Sequence, residues 1–265
     1  MKIIVCVKQV PDTTEVRLDP VTNTLIRDGV PSIINPDDKA GIEAALRIKD
    51  QNPSTTVTIL SMGPPQAQDV IREAIAMGAD EGILLTDRAF GGADTWATST
   101  TIAGCLKTIG DYDLIITGRQ AIDGDTAQVG PQIAEHLGLP QVSYAEDIKI
   151  VDENTIQVKR QFEDRYHIVE VKTPCVVTAL AELAEPRYMT VGGVFDAYEK
   201  EVKSMGLEDI KENIVLEHIG LKGSPTKVQK SFAKQGKGQG VILTDLSAEE
   251  AARAIISKLE EKFII

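Results

Sequence analysis

Aromatic residues make up only 4% of this 265-residue chain, with a single tryptophan. That scarcity argues against the base-stacking platforms that hold single-stranded nucleic acid. Basic residues are also in the minority: 28 Lys and Arg against 40 Asp and Glu leave a formal charge of −12. This is the wrong sign for gripping a polyanion. Cysteine is sparse, and Cys6, Cys105 and Cys175 stand far apart with no CxxC; His136, His167 and His218 are equally scattered. Neither a disulfide framework nor a metal site is indicated. No apolar run approaches the roughly 20 residues that span a bilayer. The start, MKIIVCVKQV, has a short apolar run and no small-residue cleavage site, so it reads as a first strand and not as a signal peptide. Neither GxGxxG nor GxxxxGK[ST] occurs, which removes the usual dinucleotide and P-loop fingerprints. These absences lead us to expect a cytoplasmic protein with no metal, membrane insertion or nucleic-acid partner.

What is present is ordinary for a globular protein: 42% apolar and 26% charged residues, with length enough for a substantial core. Ile3–Val7 reads as a buried strand, and Lys8 and Gln9 follow at its carboxyl end, where open α/β sheets place ligands. Pro11 to Gly29 reads as a hairpin excursion, with Glu15–Leu18 and Thr24–Arg27 flanking an Asp19-Pro20 turn. Asn35-Pro36-Asp37 opens a helix whose Ile42, Ala45, Leu46 and Ile48 share a face, with Asn35 as its simplest N-cap. Strands at Thr56–Leu60, Gly82–Leu85 and Leu114–Thr117 alternate with helices at 66–77, from Asp94 to about Ile109, and at 127–137. That rhythm predicts α/β architecture with a doubly wound parallel sheet covered on both faces.

From Gln141 the rhythm changes. Val142–Val151, Thr155–Phe162 and Tyr166–Lys172 read as consecutive β segments, an extension over 141–173, after which Cys175–Thr178 can rejoin the main sheet. Periodicity is weak onward to Glu217. Lys222 to Gly240 holds five lysines, four glycines and no acidic residue, and reads as an extended arm. An amphipathic helix within Ser247–Phe263 ends the chain, with Ala251, Ala254, Ile255 and Leu259 on one face. The expected division is therefore a nucleotide-binding domain over 1–220 and an arm with a terminal helix over 221–265.

The stretch that organises the rest is Leu114 to Pro131, LIITGRQAIDGDTAQVGP. A buried strand ends at Gly118, a small polar loop follows, and a helix begins, the geometry in which backbone N–H groups face a phosphate. An ordinary βα turn capped by Asp125 or Thr126 satisfies the same spacing. The residues alone leave both readings open.

Several stretches together resemble the beta subunit of electron-transfer flavoprotein. Gly118-Arg119-Gln120-Ala121-Ile122-Asp123-Gly124-Asp125-Thr126-Ala127-Gln128 is similar to that family's nucleotide loop, and Val7-Lys8-Gln9-Val10-Pro11-Asp12 to its first strand and turn. Ala184-Glu185-Pro186-Arg187-Tyr188-Met189 resembles its docking loop for an acyl-CoA dehydrogenase, and Asn35-Pro36 and Ala76-Met77-Gly78-Ala79-Asp80 extend the likeness along the chain. The resemblance implies an adenine-nucleotide alpha-hydrolase-like fold, a heterodimer with an alpha subunit that holds a redox-active FAD, and one-electron shuttling from dehydrogenases. In the common form the beta subunit binds AMP as a structural ligand. In the electron-bifurcating form it binds a second FAD, which takes hydride from NADH and divides the electrons between the alpha-subunit FAD and ferredoxin or flavodoxin.

Ala93-Asp94-Thr95-Trp96-Ala97-Thr98-Ser99 resembles the segment that cradles this extra flavin, and Thr95, Thr98 and Ser99 at a helix start supply the additional donors a dinucleotide needs. The bifurcating, FAD-binding form is therefore expected, with the AMP form as the alternative. The same resemblance puts Cys6, Asn35 and Met62 around adenine and ribose, although Cys6 and Met62 as bare residues read as core. It puts Gly118, Gln120, Asp123, Gly124, Asp125, Thr126, Gln128 and Val129 around the phosphates. Asp123 and Asp125 repel phosphate, so they are expected to bond backbone or ribose hydroxyls; Gly124 permits close backbone approach. Asp94 and Thr95 also read as plain helix capping.

Leu183, Glu185, Pro186, Arg187, Tyr188 and Met189 are assigned to partner docking within loop 182–192, against the plainer reading of a surface turn. Arg165 reads equally well as a surface residue. The arm is expected to wrap the alpha subunit. No general acid or base is called for, because the flavin carries the chemistry. Two other classes share this βα layout. A universal-stress-type nucleotide sensor calls for a GxxG-type loop and a much shorter chain, and an ATP pyrophosphatase calls for an SGGxDS-like loop where Lys8-Gln9-Val10-Pro11 stands.

Overall fold

The computed structural model describes residues 1–12, 31–227, 229, 238, 240 and 242–265. The chain divides into two units: a large one carrying the described β-strands and a small one carrying the last helix. The first strand, β1 (Lys2–Cys6), sends Ile3 and Val5 into one apolar core and Ile4 and Cys6 into another. A strand buried on both faces needs apolar residues at every position, which is why it reads as an unbroken run.

A short antiparallel ribbon, β2 (Gln9–Pro11) with β3 (Ser32–Ile34), follows. Then come α1 (Pro36–Gln51), β4 (Thr56–Met62), α2 (Gln68–Met77), β5 (Glu81–Leu85), α3 (Thr95–Ile109), β6 (Leu114–Gly118) and α4 (Val129–Leu137). The chain continues through β7 (Gln141–Asp152), β8 (Thr155–Gln161), β9 (Tyr166–Lys172), β10 (Cys175–Ala179), α5 (Val191–Glu199) and β11 (Val202–Met205). Two one-turn helices, α6 (Leu207–Ile210) and α7 (Gly220–Gly223), and α8 (Ala248–Glu260) complete the described elements.

Nine strands form one sheet in the order β11-β5-β4-β1-β6-β10-β7-β8-β9. Neighbours from β11 to β7 run parallel, while β8 and β9 add on antiparallel. One core packs residues of α1 and α2 on one face; the other packs α3 and α4 on the opposite face. The chain winds outward from β1 through β4 and β5, then places β6 on the other side of β1. The carboxyl ends of β1 and β6 therefore flank the point where the winding reverses, where such sheets open a ligand crevice.

The doubly wound α/β reading holds, with three refinements. β7 is not wholly extension: Gln141, Val142 and Ala145 pair in parallel with β10, and the strand then pairs antiparallel with β8 across register shifts. The weakly periodic stretch contains a helix, α5, and a strand, β11, that adds an edge beside β5. The helix expected from residue 127 starts at Val129, with Gln128 at the cap position in place of Asp125 or Thr126.

The hairpin segments Glu15–Leu18 and Thr24–Arg27 lie outside the described residues, as does most of the basic arm beyond Lys227. In the small unit, α8 starts with a reciprocal cap in which Ser247 and Glu250 bond each other's backbone N–H. No described helix is long and apolar enough to cross a membrane.

Candidate nucleotide-binding site

The crevice is built by the first turn of α1, which stitches the ends of β1 and β6 to each other. Asp38 Oδ2 accepts from Lys8 N and its Oδ1 from Gly118 N, both at 2.8 Å. Burial raises the Asp38 carboxyl to about 7, against the lowering effect of those N–H bonds and of the Asn35 side chain. Gly118 has no room for a side chain: a Cβ there would sit 2.2 Å from Asp38 Oδ1. Asn35 is the cap residue of α1 by position, but its side chain makes no capping bond. Wholly buried, it donates from Nδ2 to Gln120 O at 2.8 Å and accepts at Oδ1 from Ile122 N at 3.0 Å. Asp37 faces Arg119, with Nε 3.5 Å from Oδ2; burial raises its carboxyl and the Arg119 charge opposes that rise.

The loop beyond Gly118 is tied down further along. Lys8 Nζ bonds both oxygens of Asp123, at 2.6 and 2.9 Å. Gln120 Nε2 donates to Asp125 Oδ1 at 2.8 Å. The backbone bonds expected of these two acids are replaced by bonds to the Lys8 and Gln120 side chains. Asp125 and Ala127 take φ values of 51° and 52°, a left-handed region that costs an L-residue about 1 kcal/mol or more. An added Cβ at Gly124 would meet nothing within 4 Å. The loop delivers the chain to α4, whose cap residue Gln128 makes no side-chain capping bond. First-turn N–H groups without a protein cap, at the positive end of the helix dipole, are free to face an anion. Gln128 instead accepts at Oε1 from the Thr95 hydroxyl at 2.8 Å, which ties this end of α4 to the start of α3.

Of the other helix starts at this edge, α1 and α2 also make no side-chain capping bond, whereas α3 does. α1 carries Asp37 and Asp38 in its first turn. α3 is capped by Asp94, whose Oδ1 accepts from Ala97 N at 3.0 Å. The second Asp94 oxygen accepts from Thr226 N and its hydroxyl, and Asp94 N donates to Ser224 Oγ. Burial would raise this carboxyl, but those bonds outweigh it and hold it below the ordinary range. Both oxygens of Asp94 are thus committed within the protein.

The remaining expected residues divide. Ser99 is buried and turns to α4, bonding Trp96 O and lying 3.1 Å from His136 Nε2. Thr98 is half-buried and Thr126 is exposed at the loop. Cys6 lies in the core with its thiol pushed up by burial, and Met62 and the Val129 side chain pack against that same core. Arg119 stood within the expected loop and Lys8 was placed at the ligand edge, but Asp38 was missing from the expected contacts; the only hint in sequence was its place in the first turn of α1.

At the other end of α1 lies loop 182–192. Leu183 was assigned to docking, yet it is 8% exposed and belongs to the core; its apolar side chain is consumed by folding. Arg187 likewise turns inward, onto Glu43 and Asp50 of α1. Tyr188 is 96% exposed and Met189 46%. Arg165 pairs with Asp164 at the β8–β9 turn and is a surface residue.

Fold and crevice together define a doubly wound α/β protein of the nucleotide-binding class. The electron transfer flavoprotein domain family matches residues 22–210. The chain is 58% identical over 265 residues to the electron transfer flavoprotein subunit beta of Clostridium acetobutylicum, covering all of both chains. It is 56% identical over 265 residues to the caffeyl-CoA reductase-Etf complex subunit CarD of Acetobacterium woodii, again over all of both. It is 48% identical over 271 residues, with full coverage of both, to the acryloyl-CoA reductase electron transfer subunit gamma of Anaerotignum propionicum. The chain belongs to the electron transfer flavoprotein family, as a beta subunit.

Proposed function

We propose that this beta subunit binds FAD in the crevice between β1 and β6, takes electrons from NADH, and divides them between two routes. One route leads to the FAD of the alpha subunit and on to an acyl-CoA dehydrogenase or similar reductase. The other leads to ferredoxin or flavodoxin. The observation that carries the reading is the uncapped N-terminus of α4, entered through a left-handed loop with open space at Gly124. Its first-turn N–H groups and the Thr126 side chain would hold the phosphates. Thr98 on α3 would serve the part of the ligand beyond, with Thr95 as an acceptor because its proton goes to Gln128. Lys8 is engaged by Asp123 and screens that carboxylate from the phosphates. FAD held there supplies hydride acceptance and single-electron delivery; the chain's own groups bind, orient and set the field. The relatives named as parts of caffeyl-CoA and acryloyl-CoA reductase systems support a reductase as the terminal partner.

One observation favours the AMP reading. The Thr95 hydroxyl donates to Gln128 and Ser99 faces α4, so the flavin-cradling segment offers fewer free donors than its sequence suggests. The test is nucleotide content: co-express with the alpha subunit, denature the purified heterodimer, and quantify FAD and AMP. Two FAD per heterodimer with AMP missing supports the bifurcating assignment. One FAD with one AMP refutes it and leaves a simple electron carrier.

A further inference from the structure

α1 presents Glu43, Arg47 and Asp50 along one stripe, spaced so that they are neighbours on the helix surface. Residues 185–187 fold onto that stripe. The Arg187 backbone N–H and its Nε both donate to Glu43 Oε2, at 3.1 and 2.8 Å. Its Nη2 donates to Glu43 Oε1 at 3.1 Å and to Asp50 Oδ2 at 2.6 Å. Arg47 closes the arrangement, donating to Glu43 Oε1 and to Glu185 O at 3.1 and 3.2 Å. Glu43 is only 4% exposed.

Arg187 therefore has little left to offer another molecule. Turning it outward would strip a buried carboxylate of its main partner, which is strongly unfavourable. The residues on either side are fixed as well. Leu183 and Ala184 are buried just before the clamp. Just after it, the Thr190 hydroxyl accepts from Gly193 N and caps α5. α5 itself lies so close to α2 that a Cβ at Gly193 would be 2.4 Å from Ala76 O. Tyr188, almost fully exposed, stands between these two anchored points.

We propose that Arg187 is a positioning residue: clamped by Glu43 and Asp50, it holds Tyr188 projecting for insertion into the partner reductase and is not itself the contact. An exposed aromatic side chain fixed before the encounter loses less freedom on binding, and rigid aromatic anchors dominate interface energy. The inference rests on the reading of loop 182–192 as the reductase-docking segment.

The test uses the heterodimer with its alpha subunit in a reductase-linked electron-transfer assay, alongside limited trypsin digestion after Arg187. Tyr188→Ala is expected to raise the half-saturating reductase concentration by roughly tenfold or more, as for a central aromatic anchor, with the maximal rate kept. Glu43→Gln is expected to raise it severalfold, to add nothing further on top of Tyr188→Ala, and to speed cleavage after Arg187. Asp50→Asn, at a more exposed position, gives the same effects in milder form and guards against a folding defect. Arg187→Lys restores part of the loss. If Arg187→Ala weakens coupling while Glu43→Gln and Asp50→Asn leave it unchanged or strengthen it, Arg187 is a direct contact and the proposal falls. If digestion is unaltered in both acid variants, no clamp exists. Tyr188→Ala with unchanged half-saturation also overturns the proposal; faster digestion of Glu43→Gln would then show that the docking reading failed and not the clamp.

Discussion

Replacing Asn35 by alanine tests the stitching of the nucleotide loop most directly. The side chain is wholly buried and makes two bonds, to Gln120 O and from Ile122 N, that hold the loop to the start of α1. A buried hydrogen bond contributes about 1 kcal/mol net, and an orphaned buried partner costs about 1–3 kcal/mol. Ile122 and Gln120 lie at a partly open surface, so water can reach them once the loop lifts, and the lower end applies. Two bonds then amount to about 2 kcal/mol, or roughly a thirtyfold loss of affinity for a nucleotide that needs the loop in place. The core beneath is untouched, so the loss belongs in binding more than in global stability. Asn35→Asp sharpens the test: it keeps an acceptor for Ile122 N but sets a second acceptor against Gln120 O, and it should bind no better than the alanine variant. Calorimetric titration of nucleotide-depleted heterodimer with FAD and with AMP, plus a melting curve, gives both readouts. Affinity within twofold of wild type, with an unchanged melting temperature, would refute the reasoning.

Gly118→Ala should lose nucleotide and lower the melting temperature, since its Cβ would meet Asp38 Oδ1 at 2.2 Å and overpacking costs about 1–3 kcal/mol; wild-type melting would count against the close approach. Burial pushes the thiols of Cys105 and Cys175 up to about 12 and that of Cys6 higher still. All three should resist a thiol-exchange reagent at pH 8 until denaturant is added, and rapid native labelling located by mass spectrometry would contradict that. Burial would raise the Glu43 carboxyl, but the bonds from Arg187 and Arg47 hold it lower, and Arg187 lowers Asp50. Depressed carboxylates contribute stability that is complete above their unfolded values near 4 and lost as pH falls through the folded ones. Asp38 acts in the opposite sense: its raised carboxyl disfavours the fold increasingly as pH climbs from its unfolded value toward about 7. Glu43→Gln should flatten the acid limb of a stability–pH curve, and a superimposable limb would show that the clamp contributes nothing.

The repeating strand–helix order, the two-sided burial of β1 and β6, and the break in rhythm at Gln141 were all legible in sequence, because periodicity and apolar runs are local properties. The Asp94 cap was legible for the same reason: a cap is satisfied within one turn. The nucleotide loop could be located but not understood. Its shape is set by Asn35, Asp38 and Lys8, which lie far from it along the chain and reach it only because β1 and β6 are neighbours in the sheet. α5 was hidden by Gly192 and Gly193, poor helix formers, and Gly193 is required there by the close approach of α2. Leu183 and Arg187 resembled exposed anchors because sequence records residue type and not direction. Packing against α1 turned both inward and left Tyr188 outside. Local chemistry decided what each segment could become, whereas the sheet order and the position of α1 decided which side chains meet, since contacts between distant residues exist only once the chain has folded.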